Sequence, residues 1–184
     1  MRGATATPIR EGTRLAHSQV RFDIKVQRSK AGVEIKLGGN MNEVAGVKLL
    51  QLLNEDGRDF AFELSEIDSI NSLGVRAWID FIRSFEDGRN LEFRACSPVF
   101  LSQMFLLDAT IGKSKVRSIL VRGVCAACEG ETNKLLDIAT AGKSLTVATL
   151  RGTCPSCRGV TNYVDDEGEI LEFIEKQAQR LSKT

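Results

Sequence analysis

Four cysteines in two matched pairs are the residues of this 184-residue chain best suited to chemistry. Val121-Arg122-Gly123-Val124-Cys125-Ala126-Ala127-Cys128-Glu129-Gly130-Glu131-Thr132-Asn133 is answered 29 residues later by Leu150-Arg151-Gly152-Thr153-Cys154-Pro155-Ser156-Cys157-Arg158-Gly159-Val160-Thr161-Asn162. Arg, Gly, both Cys, Gly, Thr and Asn recur in step, and Asp137 and Asp166 extend the match. Two such CxxC pairs can close four thiolates around one tetrahedral ion. Gly130 and Gly159 would let the backbone turn around the sulfurs without a Cβ clash. The spacing therefore predicts that Cys125, Cys128, Cys154 and Cys157 hold one structural Zn2+ in a ribbon-like module, and iron suits the same ligand set. Four thiolates leave no open coordination position, so such a centre supports structure rather than catalysis.

Other chemistry fits less well. A redox CxxC usually opens a helix directly after a strand, whereas both pairs here run into Gly, Thr and Asn. The lone histidine, His17, lies in an aperiodic leader, which argues against a His-dependent triad. Ile111-Gly112-Lys113-Ser114 and Ala141-Gly142-Lys143-Ser144 look like the end of a phosphate loop, but Leu107 and Asp137 stand where its first glycine belongs; both read as turns. Cys96 reads as a small buried residue at a strand end. Arg122, Lys134, Lys143, Arg151 and Arg158 could contact nucleic-acid phosphates if they shared one face, although the repeat offers only Tyr163 for stacking on bases. Arg122 and Arg151 could instead brace the repeat against itself.

Charge supports this division. Net charge is +1 overall, but Lys113 to Val164 holds eight basic and three acidic residues, hence +5. His17 to Gly112 comes to −3, and so do the last twenty residues. A Zn(Cys)4 centre would contribute −2 and leave the module near +3. No apolar run approaches the ~20 residues of a membrane span. The start lacks the apolar core of a signal peptide, so a cytoplasmic location is expected, and five cysteines there favour metal over disulfides.

The elements that must position these groups follow from periodicity. Val20, Phe22, Ile24 and Val26 alternate with polar residues, then Val33, Ile35 and Leu37 do so after a turn at residues 29–32, giving a hairpin. Asn42 caps a helix expected to bury Val44, Val47, Leu50 and Leu53. Phe60, Phe62 and Leu64 form a strand. Asn71 or Ser72 caps a helix with Val75, Trp78, Ile79, Ile82 and Phe85 inward. Leu91, Phe93 and Ala95 form a short strand. Ser97-Pro98 starts a third helix burying Phe100, Leu101, Met104 and Leu107. Val116, Ile119 and Val121 make a strand that enters the first cysteine pair. Ile170, Phe173, Ile174 and Leu181 mark a terminal helix. Alternation of strand and helix predicts an α/β fold with a mixed sheet.

Residues 20–121 resemble a STAS domain, the fold of bacterial anti-sigma-factor antagonists. The segments that carry this are residues 33–42 (VEIKLGGNMN), residues 62–75 (FELSEIDSINSLGV, against a family pattern near DLSxVxxIDSSGL) and residues 91–99 (LEFRACSPV). The resemblance implies a non-enzymatic regulatory module that binds a protein partner, such as an anti-sigma-like kinase, around Asn71, Ser72, Leu73, Gly74 and Arg76. The chain departs from the pattern where it matters. Leu73 occupies the usual phosphoserine position and Asn71 the place of an aspartate. A leucine cannot take a phosphate, so the switch is expected to be absent or moved to Ser72 or Ser69. Leu73 could be an exposed docking knob or could tuck into the core. Each CxxCxG half also partly resembles the knuckles of the DnaJ zinc region.

These readings divide the chain into a leader (1–17), a STAS-like domain (18–121), a zinc ribbon (122–166) and a C-terminal helix packed on the STAS core (167–184). The ribbon would then be inserted before the last helix. A zinc-ribbon nucleic-acid binder and a CxxC redox protein are the other function classes left open, and a homodimer the open oligomeric state.

Overall fold

The computed structural model describes residues 21–142, 150–163 and 167–183. The leader, Val20, Lys143, Ser144, Asp165 and Asp166 lie outside them. The protein is mixed α/β, as its periodicity predicts. β1 (Phe22–Ser29) and β2 (Gly32–Met41) form the antiparallel hairpin. β3 (Asp59–Ile70), β4 (Asn90–Arg94) and β5 (Lys115–Val116) then join in parallel, giving the order β1-β2-β3-β4-β5.

Strands added in sequence order with right-handed crossovers place every connecting helix on the same face. α1 (Glu43–Gln51), α2 (Ser72–Phe85) and α3 (Pro98–Leu106) are those connections. One sheet face accordingly buries Val33, Ile35, Leu37, Phe60, Phe62, Leu64, Leu91, Phe93 and Val116. The other face is wet and charged, with Lys36–Glu66 and Arg117–Glu92 pairs along it. Phe62 is the hub of the core, edge-on to Trp78, Phe81, Phe85 and Phe93. Burying Trp78 would strand its indole N–H, which instead donates to the Thr110 carbonyl at 2.8 Å.

Caps fall where expected. Asn42 Oδ1 accepts from Val44 N, Asn71 Oδ1 from Gly74 N, and Ser97 Oγ from Phe100 N. Three burial expectations and one strand end are corrected. α1 buries Ala45 and Leu49 and leaves Val44, Val47 and Leu50 53%, 66% and 56% exposed. Both stripes satisfy a helical period; the narrower one wins because Gly46 and Ala45 let α1 lie close to α2 and the sheet. Leu107 is 43% exposed because α3 ends one residue before it. Ala95 sits at φ 44° and cannot extend β4. Val75 and Ile79 are only half-buried, since α2 turns them toward the groove beside α3.

α1 and α2 meet through small residues. A Cβ placed on Gly74 would lie 2.0 Å from the Met41 carbonyl oxygen. Backbone cannot yield as a side-chain tip can, so Gly74→Ala should cost about 2–3 kcal/mol, read as a lower urea midpoint at unchanged m-value.

β6 (Ser118–Cys125) links the two halves of the molecule. Its start is bonded to the core sheet: Cys96 N donates to Ser118 O, and Leu120 N to Cys96 O. Ile119 and Val121 are fully buried. Its far end is the centre of a second sheet, ordered β7-β6-β9-β8, with β7 (Glu131–Asp137), β8 (Gly152–Thr153) and β9 (Val160–Tyr163). A short α4 (Ile138–Ala141) follows β7. After β9 the chain re-enters the core as α5 (Glu167–Ser182), burying Ile170, Phe173 and Ile174. Phe173 packs edge-on against Phe105 of α3, with ring centres 5.2 Å apart, and Lys176 pairs with Asp108. The ribbon strands thus lie, in sequence, between β6 and a helix that packs on the α/β core.

Candidate metal centre

Each cysteine pair sits on a turn between antiparallel strands, and the two turns are built alike. Cys125 N donates to Gly130 O and Glu129 N to Cys125 O; in the second copy Cys154 N donates to Gly159 O and Arg158 N to Cys154 O. The left-handed residue of each turn is the one before the glycine, Glu129 at φ 56° and Arg158 at φ 62°. Of the two glycines, Gly159 is the one whose missing Cβ leaves needed room, while a Cβ on Gly130 would meet only Cys128 Sγ at an ordinary 3.4 Å. A Cβ on Gly159 would stand 2.8 Å from Ala127 Cβ and 3.1 and 3.2 Å from the Cys125 and Cys157 sulfurs.

The four sulfurs converge within 4.8 Å of one another. Cys125 Sγ approaches Cys157 Sγ at 3.4 Å, and Cys128 Sγ approaches Cys154 Sγ at 3.7 Å. Sulfurs about 2.3 Å from a tetrahedral ion stand about 3.8 Å apart, so the set fits a thiolate-bound metal with little movement. The contacts cross between pairs, as a shared centre requires, and neither pair opens a helix, as a redox site would. Cys125 and Cys154 are buried, Cys128 and Cys157 exposed.

Local dipoles favour thiolates here. Backbone N–H groups of Cys157 and Ser156 bring the Cys154 thiol down to about 6, and those of Cys128 and Ala127 lower Cys125. For Cys157 the Gly159 N–H pulls downward, but the neighbouring sulfurs outweigh it and push the thiol up to about 12. Four anions this close resist full ionisation, and a bound cation relieves that resistance. Cys96 is a different case: fully buried at the edge of the core, its thiol is pushed up by desolvation.

The basic residues around the centre do not share a face. Directly opposed residues of an antiparallel pair point the same way. Lys134 opposes buried Val121, while Arg122 opposes Asn133 and projects from the other side. Lys134 Nζ reaches the Arg151 carbonyl at 2.8 Å, tying the two copies together, a brace assigned by the sequence to Arg122 and Arg151. Arg122, Arg151 and Arg158 are exposed; Lys143 lies outside the described residues.

The Asn71–Arg76 segment lies apart from the cysteines in sequence, at the N-terminus of α2. Asn71 caps the helix and also donates to Glu43 Oε2 at 3.3 Å. Ser72 and Arg76 are exposed, Gly74 is buried, and Leu73 is 54% exposed rather than tucked inward. Ser69 is exposed too, with its hydroxyl donating to Asn40. The Gly112 turn is no phosphate cradle, because the Lys113 N–H is taken by the Glu86 carboxylate at 2.7 Å. Among the described residues no helix is long and apolar enough to cross a membrane.

Two features escaped the sequence reading. One is the exposed aliphatic stripe on α1. The other is Thr161, a buried residue directly opposite Cys125, whose hydroxyl has no partner among the described residues; its equivalence to Thr132 in the repeat was visible, its burial was not. No protein-family model matches this chain, and no curated protein matches it either.

Proposed function

We propose that the protein is a non-enzymatic, STAS-like regulatory module that binds a protein partner through the start of α2, with its last strand and last helix held together by a structural Zn(Cys)4 ribbon. The observation that carries the docking reading is Leu73, an aliphatic side chain 54% exposed on the first turn of α2. Water-facing leucine at a helix start adds nothing to folding, and its removal from water can contribute to binding. With leucine at this position, docking is not governed by phosphorylation there.

Leu73→Asp should leave thermal unfolding within about 0.5 kcal/mol of the parent and abolish capture of the partner from the native host's extract. Capture that survives Leu73→Asp would overturn the reading. The four convergent sulfurs support the metal part, with zinc as the proposed ion and iron fitting the same ligand set.

The nucleic-acid reading is the weaker one, since Arg122 and Lys134 project from opposite faces. Binding to unrelated oligonucleotides that fell steeply with salt would revive it.

A further inference from the structure

α2 and α3 enclose a groove of about 570 Å3. Its floor is aliphatic: Val75 and Ile79 are half-buried, and Leu107 is 43% exposed. Along its α2 rim stand Arg76, Asp80 and Arg83, all exposed. Aliphatic side chains left half-wet in a concave surface gain when an apolar face of another molecule covers them. Leu73 does not line this groove.

The rim charges say what kind of surface fits. Arg76 and Arg83 lie about two helical turns, roughly 10 Å, apart along α2, with Asp80 between them. Side chains at this spacing are neighbours on one face, yet among the described residues none of the three takes part in an ion pair. Acids close by in sequence are engaged elsewhere. Asp108, next to Leu107, holds Lys176, and the Glu86 carboxylate accepts from Lys113 N. The rim is thus an uncommitted row of plus, minus and plus beside an apolar floor. The chain's own first 17 residues, with Arg2, Arg10 and Arg14 against Glu11 alone, do not complement it. A surface of a single negative sign would meet Asp80 between the two arginines.

We propose, resting on the partner-docking reading above, that this groove takes an amphipathic helix of the protein partner whose flank carries minus, plus and minus. Its aliphatic face covers Val75, Ile79 and Leu107. Two acidic side chains, two turns apart, meet Arg76 and Arg83, and a basic one between them meets Asp80. A helix fits because its side chains at i, i+4 and i+7 repeat with the pitch of the α2 row itself. An extended segment, whose same-side residues fall about 7 Å apart, would overrun that row.

Fluorescence anisotropy on the full-length, metal-loaded chain tests the inference with two synthetic helical peptides of about 18 residues. Both carry the same aliphatic face. One has Glu, Lys and Glu at i, i+4 and i+7 on its flank, the other Lys, Glu and Lys. The first is expected to bind with a dissociation constant under about 200 µM. The second should bind about tenfold more weakly or worse, because three exposed charge contacts reverse sign together. Arg76→Glu with Asp80→Lys and Arg83→Glu should exchange the preference, a gain that misfolding cannot imitate. Equal binding of both peptides, binding of neither, or a triple variant that keeps the parent's preference would overturn the inference. So would a parent chain that sediments as a dimer which the triple variant dissolves, since the groove would then belong to a second copy. Capture of the native partner lost on Leu73→Asp but indifferent to the triple variant would overturn the groove and leave the α2 docking reading standing.

Discussion

Replacing Cys154 by serine should empty the metal site and lower the melting temperature of the whole chain, not of the ribbon alone. Elemental analysis should find one ion per parent chain and none in the variant, whereas Cys96→Ser should keep its ion, because Cys96 is buried apart from the centre. The size of the effect follows from linkage. Metal at about a thousand times its dissociation constant stabilises the folded state by about 4 kcal/mol. For a chain of this length that corresponds to roughly 8–16 °C. The readout is the single tryptophan, Trp78, fully buried among core aromatics far along the chain from the cysteines. Its signal should report the loss because β6 carries Ile119 and Val121 in the core and Cys125 at the metal site on one strand. Removing the ion also loosens β9, from which the chain passes to α5. Two outcomes would sink the idea. One is a metal-free parent that melts at the same temperature while its paired thiols cycle to disulfides, which would favour oxidoreductase chemistry. The other is an ion lost with no change at Trp78, which would make the ribbon an independent appendage.

The four-cysteine cluster was legible because its evidence is local. Cysteine spacing and the 29-residue repeat point to these four residues as one candidate ligand set before any fold is known. Helix caps were legible for the same reason, Asn42, Asn71 and Ser97 each acting within three residues of themselves. Burial on α1 was not, because two stripes, Val44-Val47-Leu50 and Ala45-Leu49-Leu52, both keep a helical period. The choice between them depends on Gly46 meeting Ala77, a contact 31 residues distant in sequence. The knuckle conformation was half legible. Gly159 was rightly singled out for space around sulfur, Gly130 is not crowded, and the left-handed turn at Glu129 and Arg158 left no mark in the sequence. A side chain's outward or inward direction on the ribbon likewise needed register: Arg122 and Lys134 part company only once Val121 is known to oppose Lys134.

Removal of α5 should be worse tolerated than loss of the metal. The helix buries Ile170, Phe173 and Ile174, and at about 1.5–3 kcal/mol each these side chains represent roughly 5–9 kcal/mol, an upper figure because unfolded chains already hide some apolar surface. That is comparable to the entire stability of an ordinary domain, about 5–15 kcal/mol. Deletion would also uncover Phe105 of α3 and the α4 surface where Gly142 comes so close to Ala178 that an added Cβ would lie 2.5 Å away. A chain ending at residue 166 is therefore expected to lose its cooperative urea transition and the near-ultraviolet signal of Trp78. Graded variants keep the claim testable if that chain cannot be purified. Ile174→Ala should cost about 2–4 kcal/mol through the cavity it leaves. Lys176→Ala, which breaks only the exposed pair with Asp108, should cost under about 1 kcal/mol. The contrast separates packing from charge as the reason α5 holds. If the shortened chain unfolded cooperatively within about 1 kcal/mol of the parent, the helix would be ornamental to the core. The cysteine module would then be a tail rather than an insertion between the last strand and last helix.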